Sequence, residues 1–134
     1  MTTHTSLKKE WYNVVTDFGV VGNGSTVTAD MTHETSAFQA AVDNTMDGGT
    51  LWVPPGLVIR INSTLNVDNR YGLQILGTSG LAPVGSASQN RVPMIIWGGA
   101  TTGASSKVFY WNRSRGCALK GLRLMGNGDI SHSI

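Results

Sequence analysis

Apolar positions recur along this chain in two periods. From about Thr32 to Met46, Phe38, Ala41, Val42 and Thr45 fall at i, i+3, i+4 and i+7, one stripe of an amphipathic helix. Ala37, Gln39 and Ala40 are good helix formers. Ser36-x-x-Gln39 has the form of a capping box, with Thr32 an alternative start, and Asp47-Gly48-Gly49 ends the helix. Everywhere else the apolar runs are short and strand-like. They are Trp11–Val15, Thr50–Val53, Val58–Ile61, Thr64–Val67, Leu73–Leu76, Met94–Trp97, Lys107–Trp111 and Leu119–Met125. Asp17 to Gly24 reads as a strand end running into a glycine-rich turn, and 77–91 as an irregular loop.

Gly48-Gly49-Thr50-Leu51-Trp52-Val53-Pro54-Pro55-Gly56 is the sharpest of these units. Two glycines release the chain, an alternating strand follows, and two prolines stop it. Leu51 and Leu73 stand about twenty-two residues apart, and Leu73 and Leu119 about twice that. A period in the twenties carried by short, glycine-punctuated strands points to stacked β repeats.

Composition sharpens this picture in two places. Charged residues make up only 13% of the chain, which suits strands and turns better than helical bundles. The formal net charge is only +2, yet Lys107, Arg113, Arg115, Lys120 and Arg123 crowd one stretch that holds no acid. Such a run is ordinarily a solvated face, and otherwise a docking surface for an acidic glycan or a partner chain. Residues 1–10 read as a flexible polar arm without the apolar core of a signal peptide. No run reaches the roughly twenty apolar residues of a membrane span. These features predict a product of the cytoplasm, which stays there or leaves inside a virus particle.

Three blocks in order carry a family resemblance. They are Asn13-Val14-x-x-Asp17-Phe18-Gly19-Val20-x-Gly22-Asn23-Gly24, Thr35-Ser36-Ala37-Phe38-Gln39-Ala40-Ala41-Val42, and the Gly48–Gly56 unit. Together with Leu73–Gly77 and Leu119–Asn127, they resemble the start of the pectate lyase superfamily. That group includes polygalacturonase-like enzymes and phage tailspikes. The resemblance implies a mainly β fold, a right-handed parallel β-helix of about three coils closed by an N-terminal capping α-helix. Phe38, Ala41 and Val42 are the expected contacts of that helix with the core. Residues 11–134 would be the capping region and first coils, incomplete at the C-terminus. His33-Glu34-Thr35 stands where the family often carries paired aspartates.

Chemistry is poorly supplied. Glycoside hydrolysis needs two carboxyls about 5 to 10 Å apart, and the acids here are scattered. Lyase chemistry needs a base and cations beside a uronate; Arg91, Lys107, Arg113, Arg115 and Arg123 could supply the cations, but surface salt partners are the commoner fate of such residues. Asp129 and His132 form a neighbouring acid–imidazole pair near the C-terminal end of the sequence. His4, His33 and His132 lack metal-ligand spacing, and Cys117 reads as a small hydrophobe. Neither phosphate-loop pattern is present. No catalytic residue, cofactor or metal is expected from the sequence. Trp97, Trp111, Arg113 and Arg115 are the candidate glycan contacts, against the commoner fate of aromatics as core.

The expected function is therefore structural: the anchoring region of a viral tailspike-type protein that binds or cuts host surface polysaccharide. A homotrimer follows from that resemblance, and neither nucleic acid nor membrane is an expected partner. The alternatives are a non-catalytic virion assembly protein docking through an open end, or a truncated secreted pectin-type enzyme.

Overall fold

A computed structural model describes residues 10–22, 33–77, 92–98 and 107–125. Residues 1–9 of the expected arm, residues 78–91 of the expected loop with Arg91, and the Asp129–His132 pair lie outside these residues. Nine short strands and one helix follow in the order β1 (Trp11–Asn13), α1 (Thr35–Asn44), β2 (Thr50–Trp52), β3 (Val58–Ile61), β4 (Leu65–Asp68), β5 (Gln74–Leu76), β6 (Met94–Trp97), β7 (Phe109–Asn112), β8 (Ala118–Lys120) and β9 (Arg123–Met125).

Every strand pairing is parallel. The strands form three sheets, ordered β1-β2-β5-β8, β3-β6-β9 and β4-β7. Alternation sets one row of each sheet inward, and those rows are apolar. Leu51 pairs with Ile75, Ile59 with Ile95, and Leu65 with Phe109, and all six are fully or almost fully buried. Phe38, Ala41 and Val42 on α1 are fully buried in the same core, where the Phe38 ring meets Phe109 edge-on at 6.4 Å.

The closed right-handed β-helix of about three coils is not what these residues form. They make three small sheets of four, three and two strands with one short helix, and no closed parallel β-helix is shown among them. The tiers are not equivalent. The first sheet begins with a strand, β1, where the other two have α1 against β3 and β4, and the third sheet stops at β7. With only three or four residues per strand, each rung carries one or two inward side chains.

Two local expectations also change. Leu119–Met125 is not one strand: Gly121, at φ +72°, turns a corner that sends β8 and β9 into different sheets. The helix starts after Glu34 without a side-chain cap, so Gln39 closes no capping box.

Candidate functional site

Among the described residues, polar side chains seal one set of strand edges and leave another uncovered. On the sealed side α1 runs along β3 and β4. The Glu34 N–H donates to the Arg60 carbonyl at 2.8 Å. Thr35 Oγ1 accepts the Asn62 N–H at 2.9 Å and donates to the Asn62 side chain at 2.8 Å. Gln39 Oε1 accepts the Asn66 N–H at 2.8 Å, and Gln39 Nε2 donates to the Asn66 carbonyl at 2.9 Å. Arg70, 9% exposed, closes the row: its guanidinium donates to the carbonyls of Val42 and Thr45 and to Asp47 Oδ1. The spacing 62, 66, 70 on one segment meets 35, 39 and 42–45 on the helix, so each helical turn serves one stretch of edge.

Glu34 has a second task that sequence reasoning missed. Its carboxylate accepts the N–H groups of Val21 and Gly22, holding the turn after β1 against the start of α1. The sequence marks Glu34 only as standing where the resembling family often carries paired aspartates. The β1 edge is also blunted locally, because the Asn13 N–H donates to Asp17 Oδ2 at 2.8 Å and its carbonyl accepts the Asp17 N–H at 2.9 Å.

The opposite side is different. Ala118 N–H donates to the Leu73 carbonyl at 2.9 Å, and the Lys120 carbonyl accepts from Gly77 at 2.7 Å. Ala118 and Lys120 thus turn their backbone groups toward β5, and Leu119 between them turns its N–H and C=O away. Arg123 N–H donates to the Pro93 carbonyl at 2.9 Å, so Leu124 likewise faces outward from β6. Among the described residues no strand or helix lies beyond β8 or β9.

Burial follows the same gradient. The inward row Leu51, Ile75, Leu119 goes from fully buried to half-buried at its last member. Ile59, Ile95, Leu124 does the same. Leu122 and Cys117 are also only partly buried against the core.

Charge is segregated along this axis. The described acids Glu10, Asp17, Glu34, Asp43 and Asp47 belong to β1, α1 and their flanking turns. Asp68 alone lies elsewhere, at the end of β4, where it pairs with Arg113 at 3.3 Å. The five basic residues from Lys107 to Arg123 all lie on the tier of β7, β8 and β9 or at its corners. Lys107 sits over the Tyr110 ring at 4.9 Å. Arg115, Lys120 and Arg123 are exposed, and no ion pair among the described residues engages them.

The candidate glycan contacts do not come together. Trp97 is 3% exposed and belongs to the core, so its ring offers no face to a sugar. Trp111, half-buried in a different sheet, stacks on Phe109 at 5.8 Å. Arg113 and Arg115 lie exposed at the corner after β7. The aromatic pair that does reach solvent is Trp11 with Trp52, centroids 6.4 Å apart on neighbouring strands. The sequence places Trp11 only on an apolar strand.

Among the described residues no group of three or more His, Cys, Asp or Glu side chains gathers as a metal site. No helix among them is long and apolar enough to cross a membrane. Comparison with protein-family models, with curated proteins and with solved structures returns no match.

Proposed function

We propose that this chain is a structural docking module that joins a larger assembly through the uncovered edges of β8 and β9. The single observation that carries this reading is the asymmetry of the edges. One side is sealed, turn by turn, by α1, while on the other no described residue pairs with the outward backbone of β8 and β9, and their leucines stay half-buried among the described residues. Natural proteins blunt or cover such edges unless something pairs with them. The resemblance of the three sequence blocks supports an assembly of the virion type, with the partner protein recognising surface polysaccharide. In that setting this region anchors and does not cut.

The experiment is a depolymerisation assay of the purified chain on acidic and neutral polysaccharides, read as new chain ends. No turnover is expected. Clear turnover would overturn the reading, because it requires a catalytic set that a docking module lacks.

A further inference from the structure

We propose that the β8 edge accepts, as an added parallel strand, an extended segment of a separate chain in which acidic and apolar residues alternate. This inference rests on the docking reading and adds the chemistry of the partner.

The alternation follows from the pleat. On β8 the side chains of Ala118 and Lys120 point to solvent and that of Leu119 points to the core row. A strand added in parallel register sets its own outward side chains beside Lys120 and its inward side chains beside Leu119. An inward apolar residue covers the half-buried Leu119 as Leu119 covers Ile75. An outward carboxylate meets Lys120, with the exposed Arg115 at the strand's approach and no acid anywhere between Lys107 and Arg123. The backbone of the incoming strand pairs with the outward N–H and C=O of Leu119, the mode of β-strand addition.

A second copy fits this edge poorly. The matching edge on the far side of the same sheet is β1, and there Asn13 already spends both backbone groups on Asp17. The other acids of that side lie on α1 and in turns, not on a free extended strand. An acidic polysaccharide answers the charge but has no backbone to continue the ladder.

The test uses the whole chain and three probes: a capped peptide of alternating Glu and Val about eight residues long, its Lys–Val counterpart, and polygalacturonate. Binding is read by titration and by hydrogen exchange at the Leu119 amide. The expected result is slowed exchange at Leu119 with the Glu–Val peptide only. The substitutions Arg115→Glu and Lys120→Glu together weaken that binding by about tenfold, with an unchanged circular dichroism spectrum showing that the variant folds. Equal binding of the Lys–Val peptide overturns the charge assignment while leaving the docking edge in place. Polygalacturonate binding as tightly as the Glu–Val peptide, or self-association of the chain that the peptide does not dissolve, also overturns it. Absence of binding by all three does so as well, whereas the docking reading itself fails only on turnover or on an edge already protected in the isolated chain.

Discussion

Gln39 and Asn66 are joined as two neighbouring strands would be. One side-chain amide on α1 accepts the Asn66 N–H and donates to the Asn66 carbonyl, at 2.8 and 2.9 Å. The helix thereby supplies the next rung of a ladder for β4, whose other edge is occupied by β7. Gln39→Ala removes both bonds and, because the site is partly exposed, is expected to cost about 1–2 kcal/mol of stability. Gln39→Glu keeps the acceptor but loses the donor and sets a carboxylate oxygen against a carbonyl and Asp43, so it costs at least as much. Chemical denaturation of the two variants measures this order.

Arg70 closes the helix C-terminus where the last carbonyls have no partners of their own. Arg70→Met removes the donors to Val42, Thr45 and Asp47 together and is expected to cost about 2–4 kcal/mol. Asp47→Ala removes one of Arg70's partners and a long bond from the Tyr71 N–H, on a side chain 50% exposed, so its cost is smaller, about 1 kcal/mol. Equal losses in thermal unfolding of the two variants would contradict the central place given to the carbonyl contacts.

Gly77, just after β5, lies against the corner that Gly121 makes after β8. A Cβ there would collide with the Gly121 carbonyl oxygen and lie 2.9 Å from Pro93. Gly77→Ala therefore forces the two backbones apart and is expected to destabilise by about 2 kcal/mol or more. Gly48→Ala, where open space surrounds the Cβ, carries only the cost of its positive φ, about 1 kcal/mol. Their midpoints in urea should separate accordingly.

Glu34 makes a prediction of a different kind, since its carboxylate serves the Val21 and Gly22 amides rather than the helix. Glu34→Gln keeps one good acceptor and turns an amide donor toward the other N–H, an expected loss of about 1–3 kcal/mol. Proteolysis near Val21 should quicken in step. An unchanged cleavage rate would mean the turn is held by other contacts.

Much of the element pattern was legible because it rests on local chemistry. The stripe of Phe38, Ala41 and Val42, the glycine–strand–proline unit around Trp52 and the alternation in Val58–Ile61 each leave a signature within a few residues. What was not legible depends on which strand lies beside which. Gly121 is one of many punctuating glycines, and nothing local says that its positive φ breaks Leu119–Met125 in two. The unequal sheets follow from where α1 replaces a strand, which no local pattern encodes. Trp97 fits a sugar platform as well as the commoner core by its local sequence pattern alone, and pairing with Ile61 inside the sheet decides for burial. The roles of Gln39, Arg70 and Glu34 were hidden for the same reason, since each bonds backbone far away in sequence.

The most direct test of the uncovered edge is native-state hydrogen exchange on the isolated chain, read residue by residue by NMR. Ile75 and Ile95 lie on strands paired on both sides, whereas Leu119 and Leu124 turn their amides outward. Exchange at Leu119 and Leu124 is predicted to be about a hundredfold faster than at Ile75 and Ile95. Protection at Leu119 and Leu124 equal to that of Ile75 would mean those edges are already covered within the chain, and no docking surface would remain.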